Sequence, residues 1–263
     1  MKESIMTKVS VVTIVKDHAS GLIRTLNSLL AQTNTDWESI IVVGASADGT
    51  MPAAMEFQLK DSRVRIIEQT GSGIYDAMNE GLEEAIGSFI WFMNAGDSFA
   101  STSVMAHAVQ EFSNSEIAVV VGGYQIGCHG DCQAFIYREG NIKPWNFAFS
   151  RRGGCHQAMI FRTQTLKNIG GFNIIYPLAS DFELVLKVLK NSEGKRVSEI
   201  YAIVEPGGRA DQRIFDVHAQ KHQIRNEMLG GSIIFYASIL WTALARAKIQ
   251  WRQVCNSIFS KRR

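Results

Sequence analysis

The sequence predicts an α/β protein built on a parallel sheet, because strand-like and helix-like segments alternate through its first half. Val9–Val15 is a continuous apolar, β-branched run, as expected of a strand buried on both faces of such a sheet. Three more apolar runs follow, separated by helical patterns, and right-handed crossovers between such strands give a doubly wound sheet. Polar, glycine-containing segments (GASADGT and NAGD) follow two of these runs, at the strand ends where doubly wound sheets bind ligands.

The first half contains the predicted elements in regular order. Ser20 is expected to cap a first helix, in which leucines recur at helical spacing. The remaining predicted elements are the strands Ser39–Val43, Val64–Glu68 and Phe89–Met93 and the helices Ala53–Leu59 and Tyr75–Ile86.

The second half is less regular. Strands are predicted at Ile117–Gly123 and Ala134–Tyr137, around a turn that holds Cys128, His129 and Cys132. We interpret this turn as a hairpin loop, because no second pair of ligands shows zinc-site spacing. The remaining predictions are a short strand at Ala158–Phe161 and a helix that starts at Asp181 and runs to Leu189.

Length and charge suggest one large domain with a basic end. The 263 residues suit a single large domain, predicted at 1–229, followed by a helical tail at 230–263. The net charge of +2 is too small to indicate a nucleic-acid partner, and after Glu227 only basic charges remain. The apolar run Ile233–Ala245 is shorter than the roughly 20 residues that span a bilayer. Basic residues interleaved with tryptophans favour a helix on an anionic membrane surface; the alternative is packing on the catalytic domain.

Compartment is predicted from the start of the chain and its cysteines. Residues 1–8 are polar, and the short apolar run after them has no cleavage-site pattern. The four cysteines show no disulfide framework for a chain of this length. We therefore expect a cytoplasmic protein, peripheral to the inner face of the cell membrane.

Several enzyme classes lack their motifs here. No GxGxxG follows the first strand, no GxxxxGK[ST] phosphate loop is present, and no GxSxG elbow occurs. What the sequence offers instead is carboxylates at the predicted strand and helix ends. Such oxygen ligands suit Mg²⁺ or Mn²⁺ bridging a carboxylate and a diphosphate. These carboxylates are Asp17, Asp48, Asp76, Asp97 and Asp181.

Together these segments resemble the family 2 glycosyltransferases, most closely the branch that builds bacterial surface polysaccharides. The resemblance is carried by VSVVTIVK, DWESIIVVGASADGT, GIYDAMNEGLEEAIGSFIWFMNAGDSF, CHQAMIFR, GGFN and LASDFEL, which lie between Val9 and about Gly208. It implies a GT-A fold, with a Rossmann-like nucleotide half and a mixed-sheet acceptor half. It also implies a hexosyl transfer that inverts the anomeric carbon, from a nucleotide-diphosphate sugar to a glycan or lipid-linked glycan acceptor.

The resemblance also implies roles for individual residues. Asp97 matches the second acid of the family's Asp-x-Asp-like motif and would bind Mn²⁺ or Mg²⁺. Asp181 matches the acidic base. The donor-binding residues would be Thr13 and Val15 beside the nucleobase, Asp48 after the second strand, and Asp76 and Asn79 on one helix face. His156 and Gln157 match an acceptor-side His-Gln pair.

The residues also allow structural interpretations and other functions. Asp181 could simply cap its helix, His156 could be a core histidine, and Asp48 could be a turn residue. Val43, Gly71 and Gly96 stand where the family usually has an acid, which keeps open a non-catalytic scaffold. A sugar nucleotidyltransferase is a second alternative; it needs a glycine-rich, arginine-containing loop after the first strand, where this chain has VTIVKDHAS.

Overall fold

A computed structural model describes residues 8–127, 133–150, 154–208 and 212–230, together with 239–240, 242–244 and 247. The turn predicted around Cys128, His129 and Cys132 and most of the predicted basic tail lie outside the described residues. Within them, no helix is both long enough and apolar enough to cross a membrane.

The nucleotide half is the predicted parallel sheet. Its strands lie in the order β3-β2-β1-β4, and β1 pairs in parallel with both β2 and β4. The side chains of β1, β2 and β4 are almost wholly buried, which explains why they appear in the sequence as unbroken apolar runs. The strands are β1 (Val9–Val15), β2 (Trp37–Val43), β3 (Val64–Glu68) and β4 (Phe89–Phe92).

The second half extends the same sheet with mixed strand directions, as expected of the GT-A fold. Strand β9 runs antiparallel between β4 and β6, and β6 pairs in parallel with the twelve-residue β10. The strands of this half are β5 (Ser98–Phe99), β6 (Ile117–Ile126), β7 (Gln133–Phe135), β8 (Gly140–Ile142), β9 (Met159–Arg162) and β10 (Glu193–Val204). The predicted fold class, α/β of the GT-A type, is confirmed.

Helices cover both faces of the sheet. Leu22 and Leu26 of α1 pack with Val15 on one face, while Met78 and Leu82 of α3 pack on the other. The strand ends are therefore left as the place where polar loops gather. The helices are α1 (Ala19–Leu30), α2 (Thr50–Lys60), α3 (Ile74–Glu84), α4 (Val104–Gln110), α5 (Pro144–Ala148), α6 (Thr163–Asn168), α7 (Ser180–Asn191) and α8 (Ile214–Leu229), with a short 3₁₀ turn at His156–Ala158.

The predicted cap of α1 is wrong. The helix begins at Ala19, so Ser20 lies inside its first turn, and His18 occupies the cap position without a side-chain cap bond. The N-terminal N–H groups are instead satisfied from the β2–α2 loop. The Ala19 N–H donates to Asp48 Oδ2 at 3.2 Å, and the His18 N–H donates to Thr50 Oγ1 at 3.0 Å.

Candidate active site

The parallel strand order reverses between β1 and β4, and ligands of doubly wound sheets bind in the crevice at this switch point. Beyond β1, Asp17 adopts a left-handed backbone conformation with φ of 49°, which is uncommon for a residue other than glycine. Its carboxylate accepts the Ala47 N–H at 2.7 Å, and its own N–H donates to Ser46 Oγ at 3.0 Å. Asp17 thus ties the ends of β1 and β2 together beside the crevice.

Asp97 lies beyond β4 at this switch point, and its carboxylate is held from two sides. Oδ1 accepts the Glu205 N–H at 2.9 Å, and Oδ2 accepts from the Gln157 amide at 2.8 Å. The residue is 4 % exposed. Burial raises the pKa of the Asp97 carboxyl, and its hydrogen bonds and the charge of His156 offset only part of that rise. A buried carboxylate of this kind is stabilised in its charged form by a bound cation.

Asp181 lies in the first turn of α7, across the site from Asp97. Its Oδ1 accepts the Phe182 N–H at 2.8 Å and the Tyr75 hydroxyl at 3.4 Å, and its Oδ2 lies 3.6 Å from His156 Nδ1. Burial alone would raise the pKa of Asp181, but His156 and the charge of Lys221 hold it below its ordinary value. The carboxylate is therefore ionised, and able to accept a proton, at neutral pH.

A single turn joins these two carboxylates. Gln157 contacts Asp97, and the neighbouring His156 contacts Asp181. The Asn94 amide nitrogen lies 3.0 Å from His156 Nε2, while His156 Nδ1 faces Asp181. The Trp91 indole fixes the turn by donating to the Gln157 carbonyl at 2.7 Å. The structure thus brings His156 and Gln157 to the predicted base and the predicted metal ligand.

The predicted nucleobase-side residues lie on or beside the parallel strands. Thr13 is wholly buried within β1, and its Oγ1 has no hydrogen-bond partner in the described part of the chain. Val15 ends β1 and packs in the core with Leu22. The Asp48 carboxylate accepts hydrogen bonds from the first residues of two helices. Its Oδ1 accepts the Thr50 N–H of α2, and its Oδ2 accepts the Ala19 N–H of α1. This is a structural use of Asp48, and its donor role stays a prediction.

Asp76 and Asn79 both make main-chain contacts. Asp76 Oδ2 accepts the Gly73 N–H at 2.9 Å, and Asn79 pairs through both amide atoms with the Phe172 main chain at 2.8 Å. The two also line a cavity of about 560 Å³ that includes neither Asp97 nor Asp181. Its charged lining residues are Asp76, Glu80, Glu83 and Lys187, so the cavity carries more acids than cations and disfavours a diphosphate. We therefore place the reaction at Asp97 and Asp181 rather than in this cavity. Contacts of Asp76 and Asn79 with the sugar donor stay predictions.

Two glycines that stand in place of family acids have their side-chain space filled from elsewhere. A Cβ on Gly71 would lie 2.5 Å from the Asp76 Cβ, and a Cβ on Gly96 would lie 2.2 Å from Glu205 Oε2. Glu205 is held there by His18 at 3.0 Å and by Arg24 at 2.9 Å. The carboxylates of Asp76 and Glu205 therefore occupy the positions that the glycines leave open.

Three residues of the site were given no role by sequence reasoning. Glu205 orients Asp97 through its N–H, Tyr75 donates to Asp181, and Lys221 of α8 lies within electrostatic reach of Asp181. Tyr75 belongs to the GIYDAMN block and could have been found there. Glu205 and Lys221 carry no such signal, because tertiary contacts alone bring them to the site.

The switch point offers one carboxylate, Asp97, to a divalent cation. Within the described ranges, no group of three or more His, Cys, Asp or Glu side chains could hold a metal ion by itself. Mg²⁺ and Mn²⁺, however, are commonly held by one or two carboxylates together with substrate phosphates and water. Asp97, buried and with a raised pKa, is the carboxylate that could hold such a cation.

The chain belongs to glycosyl transferase family 2, whose model matches residues 10–170. It is a glycosyltransferase. This assignment decides against the sugar nucleotidyltransferase that the sequence left open.

Relatives and solved structures agree. The chain is 26% identical over 243 residues to the PGL/p-HBAD biosynthesis glycosyltransferase of Mycobacterium tuberculosis, covering 87% of this chain and 91% of that protein. Its fold is similar to that of S. aureus TarS in complex with UDP-GlcNAc, with TM-score 0.70, 18% identity and coverage of 90% and 71% of the two chains. It is also similar to the mannosyltransferase PcManGT from Pyrobaculum calidifontis with GDP-Man and Mn²⁺, with TM-score 0.67, 17% identity and coverage of 91% and 74%.

Proposed function

We propose that this enzyme transfers a hexose from a nucleotide-diphosphate sugar to a glycan acceptor, with inversion at the anomeric carbon. The observation that carries the proposal is a pair of carboxylates, the buried Asp97 and the partly buried Asp181, joined by the consecutive residues Gln157 and His156. Asp97 would hold the cation that stabilises the leaving diphosphate, and Asp181 would accept the proton of the attacking hydroxyl.

The donor end is the switch point between β1 and β4. Asp97 would hold Mn²⁺ or Mg²⁺ together with the donor diphosphate, and the cation would neutralise the charge that grows on the leaving group. The Glu205 N–H and the Gln157 amide keep the Asp97 carboxylate in one orientation. The relatives in solved structures bind UDP-GlcNAc or GDP-Man, which supports a nucleotide-sugar donor here.

The acceptor end is Asp181. An acceptor hydroxyl attacks the anomeric carbon while the bond to the diphosphate breaks, and the hydroxyl proton passes to the Asp181 carboxylate. A single displacement by this route inverts the anomeric configuration. His156 and Tyr75 hold the carboxylate in place, and its lowered pKa keeps it in the base form.

We also propose the setting of the reaction. Residues 1–229 form the catalytic domain, and the basic tail at 230–263 rests on the anionic inner face of the cell membrane, where a lipid-linked acceptor would be presented. The sequence of the tail supports this location, and the polysaccharide branch that the chain resembles supports a role in surface polysaccharide synthesis.

A thermal-shift screen of nucleoside diphosphates with Mn²⁺ tests the donor end. A nucleotide that binds the folded chain raises the melting temperature by mass action, and its base identifies the donor class. Asp97→Ala should abolish the Mn²⁺-dependent part of this binding, while Asp216→Ala, at an exposed acid on α8, should leave it unchanged. Unaltered calorimetric affinity in Asp97→Ala would end the metal assignment, and α-to-α or β-to-β retention in the product would end the inverting mechanism.

A further inference from the structure

Helix α8 carries two cations on the side that faces the proposed base. Lys221 and Arg225 are four residues apart and so share one helix face. Lys221 Nζ lies 5.2 Å from the centre of the Phe182 ring, and Arg225 Cζ lies 5.3 Å from the centre of the same ring. Of the two cations, Lys221 acts electrostatically on Asp181, and Arg225 lies within electrostatic reach of Lys221.

These cations have few hydrogen-bond acceptors in the described part of the chain. Arg225 is 3 % exposed; its Nε donates to the Ala148 carbonyl at 2.8 Å, but its Nη1 is buried without a partner. The Lys221 ammonium makes no hydrogen bond to a described residue, although it can donate three. A cation as buried as Arg225 normally satisfies its donors, since leaving them unfilled costs free energy.

The charges in this cluster are also unbalanced. Lys221 is attracted by the Asp181 carboxylate and repelled by Arg225. Burial lowers the pKa of Lys221, and it lowers the pKa of Arg225 to about 10. Lys221 thus shares the Asp181 carboxylate with His156, while Arg225 forms no ion pair with a described carboxylate. A buried guanidinium with an unfilled donor, beside a half-buried ammonium, suits an anionic ligand that accepts from both groups.

We propose that Lys221 and Arg225 bind an oxyanion, a phosphate or carboxylate group, that the glycan acceptor carries near its reacting hydroxyl. The inference rests on the proposed function, because Asp181 marks this side of the site as the acceptor side. Lys221 acts on the base end, because it is among the charges that act on Asp181 and is not among those that act on Asp97. Lys221 is half-buried and so remains partly open to a ligand.

The side chains of Lys221 and Arg225 are of the types that bind oxyanions. Ammonium and guanidinium groups form charge-assisted hydrogen bonds with phosphate and carboxylate oxygens, and these bonds are stronger in a desolvated site. An acceptor anchored here by its charged group would hold its hydroxyl beside Asp181. Neutral glycans would lack this anchor, so the site would select acidic or diphosphate-linked acceptors.

The test uses inorganic phosphate as the probe and the full chain as the protein. Phosphate is titrated by ³¹P NMR into protein already saturated with its best nucleoside diphosphate and Mg²⁺, so that the donor end is occupied. We expect saturable binding that weakens about tenfold or more in Lys221→Met and in Arg225→Gln. Arg213→Gln, which removes an exposed cation paired with Asp216 at the start of α8, should bind phosphate like the intact chain.

Three results would overturn the proposal: no saturable binding by the intact chain, displacement of the nucleoside diphosphate by phosphate, or unchanged affinity in Lys221→Met. Lys221→Met keeps the apolar stem of a half-buried side chain, so this variant should fold. Its phosphate affinity can therefore be measured even if Arg225→Gln fails to fold. Nucleoside diphosphate binding is measured first and separately. Its absence would count against the proposed function, whereas the phosphate titration judges the anion site alone.

A second set of measurements identifies the source of the anion. A short alkyl diphosphate-linked sugar and a glycan ending in a uronic acid are each added as competitors of bound phosphate. Displacement by the first supports a lipid-diphosphate acceptor, and displacement by the second supports an acidic sugar. If neither displaces phosphate, the assignment of the site to the acceptor is wrong.

Discussion

Replacing Asp181 by asparagine separates a catalytic base from a structural carboxylate. Asparagine keeps the size of the side chain and an oxygen that can accept the Phe182 N–H, now 2.8 Å away, and the Tyr75 hydroxyl. It loses the negative charge between His156 and Lys221 and the ability to take a proton. Two different quantities, stability and turnover, should therefore respond very differently to this change.

The structure sets the expected size of each response. Losing a charged acceptor beside His156 and Lys221, with the other hydrogen bonds kept, should cost about 1–3 kcal/mol of unfolding free energy. In a chain of this size each kcal/mol corresponds to a melting shift of about 2–4 °C. Loss of general-base assistance should reduce turnover by about 10² to 10⁴, while donor binding at Asp97 stays near normal.

The assay compares transfer, or slow donor hydrolysis with water as acceptor, in the intact chain and the variant. Calorimetry of the nucleoside diphosphate with Mn²⁺ accompanies it. Asp216→Asn, at an exposed carboxylate that pairs with Arg213, is the matched control and should change neither quantity. Turnover retained within about tenfold would place the base elsewhere. A large melting loss without any specific loss of turnover would make Asp181 a structural cap.

Three further predictions concern other parts of the chain. His156→Ala removes a contact that lowers the Asp181 pKa, so that pKa rises and the acid limb of the pH–activity profile should move to higher pH; an unmoved limb would contradict the assigned contact. Gly96→Ala places a Cβ 2.2 Å from Glu205 Oε2, at a backbone φ of 103°. This strain should lower the free energy of unfolding by about 1–3 kcal/mol and the melting temperature by several degrees. An unchanged melting curve would argue against this geometry. Deleting Ile233 onward should release the protein from anionic vesicles, and salt should weaken binding of the intact chain; equal sedimentation with neutral and anionic vesicles would favour packing of the tail instead.

The parallel half of the fold could be predicted because its signals are local. Strands β1, β2 and β4 are buried on both faces, so nearly every residue in them is apolar, and each is followed by a polar loop. Strand β10 was missed although it is the longest of the described strands. Its segment EGKRVSEIYAIV mixes buried and exposed positions, since its pairing with β6 shifts register along the strand and β8 and β5 each pair with only part of it. Such a pattern does not predict a strand, because it shows neither a continuous apolar run nor strict alternation.

Helix α8 was missed for a related reason. Its buried positions include Val217, Ile224 and the charged Arg225, so its apolar side is narrow and its sequence looks polar throughout. A cation buried against aromatic rings cannot be told from a solvated one by composition. The proposed anion site on α8 is therefore a property of the folded chain alone.

By itself, the sequence determined the α/β class, the four parallel strands and the placing of Asp97 after β4, because each depends on residues adjacent in the chain. Only the tertiary structure decided which groups act on the two carboxylates. Gln157 reaches Asp97 across 60 residues, and the Glu205 N–H reaches it across 108. These contacts exist because the sheet places β9 beside β4 and brings the end of β10 near β5, and that strand order follows from long-range pairing rather than from any local pattern.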